Sequence, residues 1–237
     1  MLFRSLYIGM EIAYFNWSSG KDSSLALYRA ICSDKFVVEA LFSVLKSDSE
    51  EIAMHGVSIE LLKKQAESIG IPLVSFDFDP KWTVEEYESA MSGQINRFKE
   101  QNITTALFGD LRLEQLRKSR EQKCNKAGIQ AEFPLWNTPA KELMSEFIRL
   151  GFKAIIICVD KAVLSEEFVG KIIDEEFLKE FPPDVDICGE NGEYHTFVFD
   201  GPIFKYPIEF KVGNKYCKQY RDPETKDIYE YCYLALE

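Results

Sequence analysis

Short apolar runs alternate with amphipathic segments through the first half of the chain, and this alternation constrains the fold more than any other feature. The runs typical of buried strands cover residues 11–17, 36–45, 71–78 and 103–108. Segments with helical periodicity separate or follow them, over residues 24–33, 57–70, 84–98 after a capping Thr83, and 112–127. Strands and helices alternating at this spacing predict an α/β fold, doubly wound around a mostly parallel sheet.

The pattern changes after residue 130. It predicts helices over residues 142–150 and 170–181, and strands over residues 152–159, 196–199, 208–212 and 228–236. We therefore expect two domains, an α/β domain over residues 1–135 and a smaller mixed α+β domain over residues 136–237. Residues 1–9 precede the first strand and are expected to contribute little to the fold.

Composition excludes several classes of protein. Of the 237 residues, 46% are hydrophobic, and 28 Lys and Arg stand against 39 Asp and Glu, for a net charge of −11. Such an acidic chain repels phosphate backbones, which argues against a nucleic-acid binder. No run approaches the roughly 18 apolar residues of a membrane-spanning helix. Six cysteines without a C-x-x-C pair argue against a zinc ribbon, and we expect six reduced thiols in a cytoplasmic protein.

The segment from Ser18 to Ser23, Ser-Ser-Gly-Lys-Asp-Ser, joins the first strand to the first helix. Backbone N–H groups at a helix N-terminus form an anion site, and the hydroxyls of Ser18, Ser19 and Ser23 can donate to phosphate. Lys21 can offset phosphate charge, and Asp22 can hold a hydrated Mg²⁺. It is not a Walker A loop, because Phe15 stands where that motif has a glycine. The alternative is an ordinary capped strand–helix turn.

A second polar segment, Cys188 to Thr196, reads Cys-Gly-Glu-Asn-Gly-Glu-Tyr-His-Thr. The carboxylates of Glu190 and Glu193 beside His195 could bind ammonia, act as a general base or hold a metal. Histidine is also the natural proton shuttle near neutral pH. The alternative is a tight hydrogen-bonded turn in which the glutamates are structural.

Two shorter segments are further candidates for nucleotide contacts. Met54 and His55 precede a predicted helix, where they could meet adenine or simply cap that helix. Gly109 and Asp110 end the fourth strand, and ligands of open α/β sheets bind at the carboxyl ends of strands. Asp110 could equally be the N-cap of the next helix.

Six basic side chains lie between residues 112 and 126, and Arg117 and Arg120 share one helical face. Such a run is typical of a solvated surface. The alternative is that Arg117 or Arg120 reaches a phosphate or an acidic protein partner.

Two of these segments resemble known family motifs. Ser18–Ser23 resembles the PP-loop Ser-Gly-Gly-x-Asp-Ser of the N-type ATP pyrophosphatases, with Ser19 in place of the first glycine. Cys188–Thr196 resembles the Cys-Gly-Glu-Gly-Gly-Glu-Tyr-His-Thr signature of the diphthine–ammonia ligase family, with Asn191 in place of a glycine. Shorter segments around His55, Asp110 and Trp136 also resemble that family, in its order, so the resemblance runs from about residue 11 to 205.

The resemblance implies a HUP-type, PP-loop fold and an ATP-dependent ligase that adenylates a carboxylate, releases pyrophosphate and transfers ammonia. The carboxylate of that family belongs to diphthine, a modified histidine of a translation elongation factor. ATP would be bound by Ser18, Ser19, Gly20, Lys21, Asp22, Ser23, Met54, His55, Gly109 and Asp110, with Mg²⁺ on Asp22. The expected catalytic residues are Lys21, Asp22, Glu190, Glu193 and His195.

Three alternatives remain at this point. The chain could be a PP-loop ligase for another small-molecule acceptor, an RNA-modifying enzyme, or an ATP- or AMP-sensing module without turnover. The two enzymes both adenylate and differ only in the acceptor. Pyrophosphate release that depends on an added carboxylate acceptor therefore separates them from the sensing module. The sequence is compatible with a homo-oligomer.

Overall fold

A computed structural model of the chain describes residues 9–47, 51–52, 57–221 and 226–237, which divide into two compact units. Unit 1 contains described residues up to Ser18, from Asp22 to residue 47, and Gly70–Asn137. Unit 2 contains Ser19–Lys21, the described residues between 51 and 69, and Thr138 onwards. The expected boundary at residue 135 lies close to the end of unit 1, but unit 2 also takes two segments from the first half of the sequence.

Unit 1 is built on a parallel sheet of five strands in the order β4-β2-β1-β5-β6. These strands are β1 (Glu11–Asn16), β2 (Phe36–Lys46), β4 (Leu73–Phe78), β5 (Thr105–Leu107) and β6 (Gln130–Glu132). The connecting helices are α1 (Lys21–Cys32), α3 (Val84–Glu100) and α4 (Glu114–Ala127). The predicted parallel α/β fold is confirmed.

The core of unit 1 forms around the central strand, because the middle of β1 is apolar and buried on both faces. The Tyr14 ring stacks on Phe98 from α3 with centroids 4.4 Å apart, and Phe42 from β2 meets both rings edge-on. Phe98 lies at the end of the apolar stripe that predicted α3. Burial raises the pKa of the Tyr14 hydroxyl well above its usual value, so it stays neutral and packs as part of the core.

Unit 2 is built on a four-stranded antiparallel sheet in the order β8-β7-β10-β9. Its strands are β7 (Lys153–Asp160), β8 (Tyr194–Asp200), β9 (Val212–Arg221) and β10 (Ile228–Leu236). The unit also contains a two-residue strand β3 (Glu51–Ile52), helices α2 (Ile59–Ile69), α5 (Ala140–Arg149) and α6 (Glu175–Glu180), and a short 3-10 helix (Glu166–Phe168). In the described part of the chain, no helix is long and apolar enough to cross a membrane.

Two of the expected elements are corrected by the structure, and one strand was not expected. The strand predicted over residues 208–212 is wrong, since the strand there is β9, which begins only at Val212. The helix predicted over residues 170–181 is reduced to α6, because the Asp174 carboxylate accepts from the backbone N–H groups of Glu176 and Phe177 and so caps a later start. The sequence did not predict β6, a strand of three residues.

The expectation of six reduced thiols is also wrong. Cys217 and Cys232 are joined by a disulfide, whereas Cys32, Cys124, Cys158 and Cys188 are free. The bonded cysteines occupy directly facing positions of β9 and β10. Facing positions of antiparallel strands bring Cβ atoms close enough for a bond, and spacing along the sequence gives no sign of that pairing.

Candidate functional site

The segment between β1 and α1 turns from a paired strand directly into a helix. The Trp17 N–H still donates to the Phe42 carbonyl of β2 over 2.8 Å, and α1 begins four residues later at Lys21. Within the turn, the Ser18 hydroxyl donates to the Ser23 hydroxyl over 3.1 Å. Asp22 lies half-buried in the first turn of α1, where the helix dipole favours negative charge.

Gly109, at the end of the fourth predicted strand, lies directly against this helix start. A Cβ at Gly109 would be 3.1 Å from the Ser23 nitrogen and 3.2 Å from the Asp22 carbonyl carbon. Both are backbone atoms that cannot rotate away, so a side chain here would force the turn to shift by a few tenths of an ångström, which glycine avoids. The structure therefore brings together two segments that the sequence assigned to the nucleotide, Asp22–Ser23 and Gly109.

Asp110 is held by an arginine of the following helix. A terminal nitrogen of Arg120 donates to Oδ1 over 3.1 Å, and its Nε lies 2.7 Å from Oδ2 as an ion pair. The guanidinium also lies 4.5 Å from the Phe108 ring centroid. Such a two-point contact fixes the carboxylate plane. The N-cap of α4 is Leu113, without a side-chain hydrogen bond, so Asp110 does not cap that helix.

Ser19 adopts a backbone conformation that usually belongs to glycine. Its φ is 70°, and it is fully buried. Its carbonyl accepts from the Val198 N–H of β8 over 3.0 Å and from the Gln65 side-chain amide of α2 over 3.3 Å. The same Gln65 amide donates to the Val198 carbonyl over 2.6 Å, so this buried glutamine joins loop and strand. Long-range hydrogen bonds therefore hold Ser19 in a left-handed conformation that residues with a Cβ rarely adopt.

Lys21 is buried, at 4% exposure, and bound to the second polar segment at both ends. Its backbone N–H, the first of α1, donates to the Thr196 hydroxyl over 3.0 Å. The first N–H groups of a helix have no partner within the helix, so Thr196 supplies a cap from another strand. The Lys21 ammonium donates to the Cys188 carbonyl and lies 5.2 Å from the Tyr194 ring centroid.

The turn that contains the two glutamates is closed by its own side chains. Asp186 accepts from the backbone N–H groups of Cys188 and Glu190 over 3.1 and 3.2 Å. The Glu193 carboxylate accepts from the Asn191 backbone N–H and side-chain amide, each over 2.9 Å, and is buried. Asn191 therefore gives Glu193 a contact that a glycine lacks, and this geometry favours the structural alternative for Glu193.

His195 lies on β8 between two residues that face the loop. Tyr194 and Thr196 both contact Lys21, and strand alternation places His195 on the opposite face. It is half-buried, in register with Cys158 of β7. The predicted residues Met54 and His55 lie outside the described residues.

The predicted basic face of α4 is only partly a solvated surface. The Arg117 guanidinium lies 4.6 Å from the Trp136 ring centroid and 5.0 Å from that of Phe133, and its Nε is 2.6 Å from a Glu121 carboxylate oxygen. Lys118, one residue on, is 68% exposed beside Glu114. Arg117 and Arg120 are thus engaged in stacking and ion pairs within unit 1.

Comparison with known protein families matches the chain in two consecutive parts. Residues 10–131 match the family described as diphthamide synthase N-terminal domain, and residues 139–227 match the diphthamide synthase C-terminal domain. The first match alone covers more than half of the chain. The chain belongs to the diphthamide synthase family. The resemblance carried by the two motifs is confirmed.

Several relatives of this chain are named diphthine–ammonia ligase. The one from Danio rerio is 28% identical over 212 residues, covering 81% of this chain and 83% of the relative. The one from Bos taurus is 37% identical over 93 residues, covering 37% of this chain and 35% of the relative. The match to the Schizosaccharomyces pombe protein covers 81% of this chain but only 34% of that relative, at 24% identity.

Sequence reasoning missed two side chains that build the site of this diphthamide synthase family member. The sequence pattern places Gln65 in an amphipathic helix and gives it no role. It is a polar residue on the face of Leu61, Leu62 and Ile69, and a buried polar residue needs a hydrogen-bond partner. Thr196 closes the second motif but was given no role. Its partner is the backbone N–H of Lys21, and a backbone group cannot be recognised as a partner from residue types.

Proposed function

We propose that this chain is an ATP-dependent amide ligase that adenylates a carboxylate and transfers ammonia to it. One observation carries the proposal. In a member of the diphthamide synthase family, the Lys21 N–H of the PP-loop-like segment is bonded to Thr196 of the second motif, 175 residues further along the chain. The two segments that distinguish the family thus build one local structure around the start of α1.

The reaction proceeds in two displacements. A carboxylate oxygen of the acceptor attacks the α-phosphorus of ATP, and the bond to the departing pyrophosphate breaks. The nitrogen of ammonia then attacks the acyl carbon of the adenylate, AMP leaves with its bonding electron pair, and the nitrogen loses a proton to a base. Adenylation is needed because a carboxylate oxygen is a poor leaving group, whereas AMP is a good one.

The start of α1 supplies what a polyphosphate needs. The helix N-terminus and the hydroxyls of Ser18 and Ser23 would bind phosphate oxygens, and the Asp22 carboxylate would hold Mg²⁺. Gly109 keeps the neighbouring backbone close to this turn, and Asp110, oriented by Arg120, lies next to it in sequence. Mg²⁺, when bound, would offset the charge that develops on the departing pyrophosphate.

Lys21 acts on this site through its buried charge. Its ammonium already donates to the Cys188 carbonyl, so it stabilises the turn and adds positive potential near α1. A role in direct contact with phosphate would require its side chain to leave that carbonyl. We therefore assign Lys21 first to positioning of the loop.

The second segment is proposed to serve the acceptor side through Glu190 rather than through His195, because the His195 side chain lies on the face of β8 opposite to Lys21. Glu193 fits a supporting role, because its carboxylate is occupied by Asn191. Following the names of the relatives, we propose diphthine on a translation elongation factor as the acceptor and ammonia as the nitrogen donor, with the cytoplasm as the place of reaction.

The test is the substitution Asp22→Asn. We expect it to weaken Mg²⁺-dependent ATP binding and to abolish pyrophosphate release, because the amide keeps the size of the side chain but removes the charge that holds the cation. Calorimetric titration with ATP, with and without Mg²⁺, measures the first effect. Pyrophosphate release and the mass of the amide product, with diphthine-bearing elongation factor and ammonium as substrates, measure the second.

Asp34→Asn is the matched control, since Asp34 is exposed in the turn after α1 and its φ of 53° is one that asparagine also tolerates. It should behave as the wild type does. Wild-type turnover in the Asp22→Asn variant would contradict the assignment of the metal site. ATP binding without acceptor-dependent pyrophosphate release in the wild-type protein would instead favour a nucleotide-sensing module.

A further inference from the structure

Three potential metal ligands meet on unit 2, within the antiparallel sheet and the short helix beside it. Cys217 of β9 faces Cys232 of β10, and the Glu166 carboxylate oxygen lies 3.7 Å from the Cys232 sulfur. The ligand atoms of all three residues lie within 4.8 Å of one another. Among the described residues, no other group of three Cys, His, Asp or Glu side chains meets this spacing. Cys232 also lies beyond residues 139–227, where the chain matches its family.

The ligand types select the class of cation. Two thiolates and one carboxylate suit a soft or borderline divalent ion such as Zn²⁺, and they suit Mg²⁺ or Ca²⁺ poorly. Three protein ligands leave a fourth tetrahedral position for water, which is accessible because Cys217 and Glu166 are exposed.

The scaffold fixes the three positions independently of the sulfur–sulfur bond. β9 and β10 are paired on both sides of the cysteines, and the rings of Tyr216 and Tyr233 stack on the other face with centroids 5.4 Å apart. Glu166 lies in the short helix that Ser165 caps and that the buried Phe168 anchors. The thiols would therefore stay close to each other after reduction.

The neighbouring Lys161 contacts Glu166 only weakly, so the Glu166 carboxylate remains available to another cation. The Lys161 ammonium is 3.1 Å from a Glu230 oxygen but 3.6 Å from Glu166. The shorter contact, a hydrogen bond from the ammonium to the Glu230 carboxylate, makes Glu230 the main partner of Lys161. Glu166 is 60% exposed and can turn toward a bound ion.

We propose that Cys217, Cys232 and Glu166 form a redox-gated binding site for a soft divalent cation, of which the disulfide is the closed state. A dithiol reductant attacks the exposed Cys217 sulfur, the sulfur–sulfur bond breaks with its electron pair on Cys232, and the second thiol of the reductant resolves the mixed disulfide. The reductant becomes a disulfide, and the protein gains two thiols. A divalent cation then displaces both protons and binds the thiolates with Glu166. Oxidation by a disulfide oxidant reverses the sequence and releases the ion.

The free thiols of Cys32, Cys124 and Cys158 do not offer such a pair. Cys124 and Cys158 are buried, and burial raises the pKa of both, to about 12 for Cys158, so neither forms a thiolate near neutral pH. Cys32 is exposed but belongs to unit 1, outside this cluster.

The experiment titrates the full chain with Co²⁺ after reduction by a phosphine that is removed under anaerobic conditions. A thiolate-to-cobalt charge-transfer band should appear, saturate at one ion per chain and disappear when Zn²⁺ is added. The oxidised protein should show no such band. Zn²⁺ should also protect Cys217 and Cys232 of the reduced wild-type chain from alkylation, as read by peptide mass spectrometry, which requires no variant to fold.

Two variants test the ligands. Cys217→Ser should weaken affinity by more than roughly 100-fold and Glu166→Gln by at least about 10-fold, since changes to groups that merely support a ligand already cost about 10- to 100-fold. The matched controls, Cys32→Ser and Glu180→Gln, should bind as the wild type does. Glu180 is likewise an exposed carboxylate paired with a lysine, but it lies outside the cluster.

Three results would overturn the proposal: no saturable band in the reduced wild type, equal binding by the oxidised protein, or unchanged affinity in Cys217→Ser. Wild-type affinity in Glu166→Gln would remove the carboxylate from the site and overturn the three-ligand assignment. None of these results depends on ATP or on an acceptor, so they leave the proposed ligase activity untouched.

Discussion

Ser19 is the residue at which the loop departs from its family pattern. Its left-handed backbone conformation should lower the free energy of unfolding. An L-residue in the left-handed region is destabilised by about 1–2 kcal/mol relative to its right-handed conformation, a cost that glycine avoids. The Ser19 hydroxyl is also buried, with no hydrogen-bond partner among the described residues. The hydrogen bonds that hold Ser19 all use its backbone carbonyl, so the side chain is dispensable for them.

We therefore expect Ser19→Gly to raise the free energy of unfolding by about 1 kcal/mol, which corresponds to a rise in Tm of roughly 2–4 °C for a chain of this size. ATP affinity should stay at the wild-type value. Thermal and chemical denaturation measure the first effect, and calorimetry measures the second.

Ser24→Gly is the matched control for this substitution. Ser24 is equally buried, and its hydroxyl also lacks a partner among the described residues, but it lies inside α1. Glycine inside a helix should lower stability, by about 0.5 kcal/mol or more. If both variants lost stability, the left-handed conformation of Ser19 would not be the source of strain.

At the scale of elements, the basic run of α4 does not show which of its side chains are packed and which are solvated. Arg117 and Lys118 are adjacent in a basic run, yet only Arg117 lies against Trp136 and Phe133. Arg117→Ala should lower the free energy of unfolding by about 1–2 kcal/mol through loss of stacking and of the partly exposed ion pair with Glu121. Lys118→Ala, which removes the same charge from the 68% exposed position, should change it by less than about 0.5 kcal/mol. Urea denaturation of both variants measures the difference, and equal effects would mean that charge alone matters.

The elements that the sequence predicted well are those whose side chains carry a strong periodic signal. The strands β1, β2 and β4 are apolar runs, and α3 begins after the predicted cap Thr83, which forms a capping box with Glu86 in the structure. β9 was missed because eight of its ten residues are exposed or polar, including Lys215 and Lys218, so no apolar alternation marks it. Its place is set by pairing with β10, a long-range contact that local pattern does not encode.

The candidate site was predictable in its segments but not in its contacts. The loop at Ser18–Ser23 and the second motif were both identified from residue types. The hydrogen bonds between them use backbone groups, or side chains such as that of Thr196 that no motif marks as functional. The Lys21 ammonium was expected on phosphate, and it lies on the Cys188 carbonyl. The charge and hydrogen-bond donors of a side chain determine which kinds of group it can bind. Which of those groups lies within reach depends on the fold.

At the scale of the whole molecule, a loop from the start of the sequence depends on a strand near its end. The Ser19 carbonyl and the Lys21 N–H are bound by Val198 and Thr196 of β8, and Gln65 of α2 reinforces the first contact. We expect nucleotide affinity to depend on this strand although none of its residues was assigned to phosphate.

Thr196→Val isolates that dependence, because valine keeps the shape and β-branching of threonine but cannot accept a hydrogen bond. The Lys21 N–H would be left buried without its acceptor, at a cost of about 1–3 kcal/mol in the free energy of unfolding. Since that N–H fixes the first turn of α1, we also expect the Kd for ATP to rise about tenfold, equivalent to 1.4 kcal/mol. Thr196→Ser retains the hydroxyl and loses only a methyl group, so it should lose some stability but keep the wild-type Kd. Denaturation and calorimetric ATP titration of the two variants separate these effects. A Thr196→Val variant that is less stable yet binds ATP normally would show that β8 supports the fold without shaping the nucleotide loop.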